Sequence, residues 1–325
     1  LVEDAREAGG IWTMEDLAGY ELIERDPVRI DYGNATLLTA PAPSSGGMAM
    51  AQLFGMLEQR PVPDDADRVT RVHWLAEMMR RAYRDRAVHM GDPAYTDIPR
   101  ERLRDPAYLR TLASSINPER ATPSRDLGGP GTDGNHTTHL SVMDAEGNIV
   151  SATLSINYPF GSGVTSEGTG VVLNNEMDDF SIRPGHANVW GLVGGRANQV
   201  EAGKRPLSSM SPLIIRSPER ITALGAPGGS RIITMNFLAA LDVLEGRTPQ
   251  AVVSSRRFHH QYEPDRIEHE PDTFSRAEKQ ALRAMGHELH DVDRTYGNMQ
   301  LIQPKVKELQ KKYGHDRERL AQETM

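Results

Sequence analysis

Across residues 149–157 apolar and polar side chains alternate: Val150, Ala152, Leu154 and Ile156 against Ser151, Thr153, Ser155 and Asn157. A period of two predicts a strand with one buried face. Just upstream, Leu140 and Val142 alternate with His139 and Ser141, and the intervening "DAEGN" supplies turn residues, with Gly147 and Asn148 suited to positive φ. The stretch therefore reads as a β-hairpin. Its polar face carries Ser155 and Asn157 near one end, close to where Thr137 enters. Hydroxyls and an amide converge at a strand end, where a loop-lined site can form. Elsewhere the spacing is helical. Val72, Leu75, Ala76, Met79, Ala82 and Tyr83 share one face within residues 69–90, and Ile233, Phe237, Leu241 and Leu244 do so in "SRIITMNFLAALDVLEG". "MAMAQLFGML" after the turn "APAPSSGG" is a further helix, and "PLSSMSPLIIRS" and "RITALG" hold strands. Residues 123–135, rich in turn formers, read as a long exposed connection that ends against the threonine pair Thr137 and Thr138.

Composition narrows the class. The 325 residues allow about two domains. Hydrophobic residues at 38% and charged residues at 25% are ordinary for a globular protein. A net charge of -8 argues against a nucleic-acid surface. The lack of cysteine excludes disulfides, thiolate metal sites and a cysteine nucleophile. No apolar run approaches the roughly 20 residues that span a bilayer. No signal peptide is visible, and the opening "LVEDAREAGG" has no initiator Met, so the chain is expected to come from the middle of something longer.

Candidate chemistry is sparse until it is read as a set. Thr137 and Thr138 fit a strand by propensity alone. Gly228 and Gly229, just before a helix, fit a tight turn, but they also leave backbone N–H groups unobstructed for an anion or a developing oxyanion. "GAPGGSR" lacks the Gly-Lys-Ser/Thr of a Walker loop, and "GHELH" has Asp291 where a zinc protease needs its second histidine. His259 and His260 are adjacent and on a strand would face opposite ways, which disfavours a shared metal. Asp178 and Asp179 suit either a metal or hydrogen bonding.

Five motifs, "TTHLSV", "NYPFGSG", "NNEMDDF", "RPLSSMSP" and "GAPGGSRII", follow in that order, and "GGIWTMEDLAGY" and "APAPSSGG" precede them. With these the chain resembles the γ-glutamyltransferases, or glutathione hydrolase proenzymes, from its start to about Gln303. The resemblance implies an α+β fold, the αββα four-layer sandwich of the N-terminal nucleophile hydrolases, incomplete at the N-terminus. It implies that residues 1–136 end a large subunit and that residues 137–303 form a small subunit. It implies autoproteolysis between His136 and Thr137, which frees the Thr137 amine as a local base, with a pKa of roughly 7.7–8.0. Thr137 would then carry a γ-glutamyl group from glutathione or a related compound to water or to an amino acid or peptide.

By the same resemblance Ser155 hydrogen-bonds the nucleophile, and Gly228 and Gly229 form the oxyanion hole. Asn157, Glu176 and Asp179 hold the substrate ammonium, Ser208 and Ser209 hold its α-carboxylate, and Trp190 is a lid residue. No cofactor or metal is implied, and no nucleic-acid partner or membrane span. The two subunits associate, and a periplasmic or secreted location is expected. Related glutaryl or cephalosporin acylases, γ-polyglutamate hydrolases and a non-catalytic fragment are the alternatives. Two departures stand out. The family's carboxylate-binding arginine belongs to an N-terminal part, so no residue here is assigned that role. Residues 304–325 read as a charged amphipathic helix that resembles a cytoplasmic segment of Oxa-type membrane insertases.

Overall fold

The computed structural model describes residues 1–128, 137–144, 146–183 and 195–306. His136, Trp190 and the tail beyond residue 306 lie outside the described residues. Two short helices, α1 (Val2–Glu7) and α2 (Met14–Ala18), open the chain. Strands β1 (Val28–Tyr32) and β2 (Ala35–Thr39) precede the long helices α3 (Gly46–Gln59) and α4 (Arg68–His89), followed by α5 (Arg100–Arg104) and α6 (Pro106–Ser114). The predicted hairpin forms from β3 (Thr138–Met143) and β4 (Ile149–Leu154). After it come β5 (Leu213–Arg216), β6 (Ile221–Gly225), α7 (Arg231–Leu244) and α8 (Pro249–Ser254). Strands β7 (Phe258–His259) and β8 (Ile267–His269), helix α9 (Arg276–Ala284), and strands β9 (Leu289–Asp291) and β10 (Gln300–Ile302) complete the order. Among the described residues no helix is long and apolar enough to cross a membrane.

A five-stranded antiparallel sheet, ordered β1-β2-β5-β6-β10, is the centre of the molecule. β2 precedes Thr137 and β5 follows it, and they pair directly, with Leu37 opposite Ile215. Both sides of Thr137 in sequence thus build one sheet. Leu37, Leu213, Ile215 and Leu224 pack with Met50, Leu53 and Phe54 of α3 and Phe237 of α7 in the main core. Phe54 meets Phe237 edge-on at 5.2 Å between ring centroids. These helices cover one face of the sheet.

The hairpin covers part of the other face, and it does so with the side that alternation alone assigns to water. His139 is buried, with Nδ1 2.8 Å from Thr153 Oγ1 and Nε2 3.1 Å from Ser141 Oγ. Ser151 Oγ donates to Leu224 O of β6 at 3.1 Å. Leu140, Val142, Val150, Leu154 and Ile156, the expected buried stripe, are 39–52% exposed. A period of two separates two faces but does not say which is inside. Here the polar face is buried because its hydroxyls satisfy one another, the imidazole and a carbonyl of β6. Burial pushes His139 down to about 4, so the ring stays neutral in this layer.

The seat of the hairpin depends on Gly225, where a Cβ would lie 2.3 Å from the His139 ring. Gly225→Ala is expected to cost about 1–3 kcal/mol by overpacking and to lower turnover, since Thr137 enters directly on β3. Thermal unfolding and activity of the variant check this; an unchanged melting temperature would mean the hairpin does not sit on Gly225.

One expectation changes at the end of a segment. Residues 123–135 are not exposed throughout. Ser124 is fully buried: its hydroxyl accepts from Arg80 Nη1 at 2.6 Å and donates to Tyr262 O, and its N–H donates to Asp265 at 2.7 Å. A polar turn sequence looks solvated, but the buried Arg80 on α4 requires acceptors, and this segment supplies one. Beyond Gln303, Lys305 bridges to Arg220 and Val306 N donates to Glu219 O at 2.9 Å. Pairing therefore continues through Pro304.

Candidate active site

Thr137 immediately precedes β3 and lines a cavity of about 30 Å³. Ser155, Asn157, Asp179, Ser208, Ser209, Gly229 and Arg86 line the same cavity. Residues from six separate stretches of sequence therefore meet at one point. Of the expected set, Gly228 and Glu176 adjoin the lining through Gly229 and Asp179.

One end of the cavity is built at the mouth of α7. Gly228 has φ 149° and Gly229 φ 56°, backbone conformations that side chains other than glycine rarely adopt. They turn the chain into the helix with Arg231 N donating to Gly228 O and Ile232 N to Gly229 O, both at 3.1 Å. Among the described residues neither glycine's own N–H is donated elsewhere. Ser230 holds the turn from behind: its carbonyl accepts from the Tyr83 hydroxyl and its Oγ donates to Gln261 Oε1 at 2.6 Å.

The second cluster combines acceptors. Asn157 is buried with φ 68°. Its N–H donates to Ser155 Oγ at 2.8 Å, and its Nδ2 donates to Asn175 O at 3.1 Å. Among the described residues no donor reaches its Oδ1. Glu176–Asp179 form a single 3-10 turn. Burial, then the adjacent Glu176 carboxylate, raise Asp179 well above the usual carboxylate range, and Arg86 only partly opposes them. Glu176 Oε1 is buried and has no hydrogen-bond partner among the described residues. Two carboxylates side by side with an orphaned oxygen make a site deficient in positive charge. Asn198 ties this turn to the serine loop: its Nδ2 donates to Asp179 O at 2.7 Å, and its Oδ1 accepts from Leu207 N at 2.9 Å.

The serine loop is held by "APSSGG". Ser45 donates to Ser208 O through both its N–H, at 2.8 Å, and its Oγ, at 2.7 Å. Ser208 N donates to Pro43 O at 3.0 Å, and Ser44 Oγ to Met210 O. Arg86, 5% exposed in the last turn of α4, donates from Nε to Ser45 Oγ at 2.8 Å and from Nη2 to Ser209 Oγ at 3.0 Å. Burial pushes its pKa down, while Tyr83 and Asp179 act the other way. Arg86 is the site residue that sequence reasoning missed, and it brings a cation to a site where none was assigned. α4 also carries Arg68, Arg71, Arg80, Arg81 and Arg84, and nothing in their spacing singles out the one that faces the cavity.

The family model described as gamma-glutamyltranspeptidase matches residues 1–320. A glutathione hydrolase proenzyme of Pseudomonas aeruginosa is 42% identical over 319 residues, covering 95% of this chain and 57% of the relative. A Helicobacter pylori γ-glutamyltranspeptidase mutant of known structure is 44% identical, covers 52% of this chain and 93% of its own, and superposes with a TM-score of 0.50. A cephalosporin acylase from Bacillus halodurans is 25% identical over 92% of this chain and 52% of its own, with a TM-score of 0.75. The chain spans about half the length of the curated relatives it matches.

Proposed function

The chain belongs to the γ-glutamyltranspeptidase family, and from that premise we propose that it is the part of a γ-glutamyl transferase and hydrolase that carries the nucleophile, Thr137. The observation that carries the reading is the single cavity shared by Thr137, the Gly229 turn, the Asp179 cluster and the Ser208–Ser209 loop. An α-amino acid group needs acceptors for its ammonium and donors for its carboxylate. Asn157, Glu176 and Asp179 would supply the first and Ser208 and Ser209 the second, with Thr137 on the lining of the same cavity.

The chemistry runs in two stages. In maturation, Thr137 Oγ attacks the carbonyl of His136, the peptide becomes an ester, and water releases a chain beginning at Thr137. In turnover, the freed amine accepts the proton of Thr137 Oγ as it bonds to the γ-carbonyl carbon. The tetrahedral oxyanion is held by the amides at Gly228–Gly229. The C–N bond then breaks and the amine leaves with a proton. Water or an amino acid or peptide amine attacks the ester and regenerates Thr137. Glutathione is the substrate this reading favours, and the two parts on either side of Thr137 remain associated through the shared sheet. A periplasmic or secreted location goes with it. A glutaryl acylase would need no ammonium acceptor, so the Asp179 cluster favours a glutamyl over a glutaryl donor.

A γ-glutamyl p-nitroanilide assay and mass spectrometry, both on this chain preceded by the part of the Pseudomonas aeruginosa relative that it does not cover, test the reading. Turnover together with a fragment starting at Thr137 is expected; an intact chain that turns over, or no turnover from a processed one, would refute it. Asp179→Ala is expected to raise KM for the anilide by loss of a charge-assisted contact worth about 1.5–3 kcal/mol, while leaving processing intact. The pKa direction adds a pH dependence. The raised carboxyl of Asp179 must lose its proton to receive an ammonium, so KM should climb on acidification from a pH well above the ordinary aspartate range. Asp179→Asn should flatten that limb. Equal kinetics for glutamyl and glutaryl anilides in the parent enzyme would remove the role.

A further inference from the structure

We propose that Arg86 is a positioning residue for the substrate's carboxylate end, holding Ser45 and Ser209 so that the Ser209 hydroxyl presents its proton to the cavity; this rests on the γ-glutamyl reading above. Counting protons around the guanidinium leads there. Ser45 Oγ has one proton, donated to Ser208 O, and it accepts from Arg86 Nε. Ser45 is thereby fully used, and it fixes the backbone of the serine loop. Ser209 Oγ accepts from Arg86 Nη2, and among the described residues its own proton has no acceptor. Ser209 lines the cavity, so that proton is available to a bound anion.

A hydroxyl that accepts from a cation is polarised and becomes a stronger donor through its own O–H. Arg86 thus delivers its charge to the site through a neutral hydroxyl. Its place on α4 adds a second constraint. Tyr83, three residues earlier and on the same helical face, donates to Ser230 O at the Gly228–Gly229 turn. One turn of α4 therefore holds both the acyl-transfer end and the carboxylate end of the site, and sets the span between them.

The test pairs a γ-glutamyl p-nitroanilide with its analogue bearing an α-carboxamide in place of the α-carboxylate. Both are measured on this chain preceded by the part of the Pseudomonas aeruginosa relative that it does not cover. Arg86→Lys keeps the charge but not the two-pronged geometry. It is expected to raise KM for the carboxylate substrate about 10- to 100-fold, with kcat changed little, and to leave the carboxamide substrate within about twofold. On a Ser209→Ala background the same substitution should add almost nothing, because its route of action is already removed. Equal losses for both substrates, or a full further loss on the Ser209→Ala background, would overturn the proposal and make Arg86 a structural residue. If Arg86→Lys prevents processing, Ser45→Ala removes one prong and is held to the same two-substrate criterion. A parent enzyme without γ-glutamyl turnover would overturn the function itself; an active parent with an indifferent Arg86 would overturn this inference alone.

Discussion

Thr137→Ala is expected to abolish both maturation and turnover. The residue opens β3 at the edge of a cavity that also holds the Gly229 turn and the Asp179 cluster, so every other component would remain in place. Only the atom that forms the acyl bond would be lost. Removing a nucleophile from a preorganised site costs on the order of 10⁶-fold in kcat where it has been measured in a serine hydrolase. The residual rate reflects binding and the oxyanion donors alone. The same hydroxyl starts the cleavage before Thr137, so the variant should run as one uncut chain on a denaturing gel. A variant that is processed, or that retains more than a trace of anilide turnover, would assign the nucleophile elsewhere; Thr138, next in sequence and exposed on β3, would then be the residue to replace. Thr137→Ser should retain both reactions, because the hydroxyl and the amine it needs are kept.

The 325-residue chain produced alone is expected to self-associate and to show almost no turnover. The cause is the outer face of the hairpin. Leu140, Val142, Val150, Leu154 and Ile156 lie together there, and the least exposed of them is still 39% accessible. A contiguous apolar face of this kind is either covered by another layer or drives association. In a four-layer sandwich the hairpin would be one of two inner sheets, with a further layer over this face. Helices and one sheet account for two layers, and the hairpin begins the third. Supplying the part of the Pseudomonas aeruginosa relative that this chain does not cover should give a monodisperse, processed and active protein. Light scattering and the anilide assay on both proteins decide it. Val142→Glu with Val150→Glu should make the short chain more soluble yet prevent its completion by the added part. A short chain that is monomeric and turns over like the longer one would show that the hairpin needs no cover.

Much of this site was legible in the residues. Alternation around "DAEGN" placed the hairpin to within three residues of the ends of β3 and β4, because period two and turn chemistry are local properties. The helices α3, α4 and α7 followed from their apolar spacing for the same reason. The ordered motifs grouped Thr137, Ser155, Asn157, Asp179, Ser208, Ser209 and Gly229 into one expected site before any geometry was known, and all of them line one cavity. What stayed hidden depends on contacts between distant segments. Ser124 looks like an exposed turn serine until Arg80 and Asp265 are seen to close over it. Ser45 looks like a loop residue until its two bonds to Ser208 O are seen. Arg86 is one of several arginines on α4, and only the close approach of α3's leading loop and the serine loop to the helix's last turn distinguishes it. The sequence by itself determined most of the elements, which follow from local periodicity, and the family, which follows from motif order. The tertiary structure alone decided that the hairpin buries its polar face and that Arg86 enters the site, because alternation is symmetric between two faces and a guanidinium finds its partners only across segments far apart in the chain.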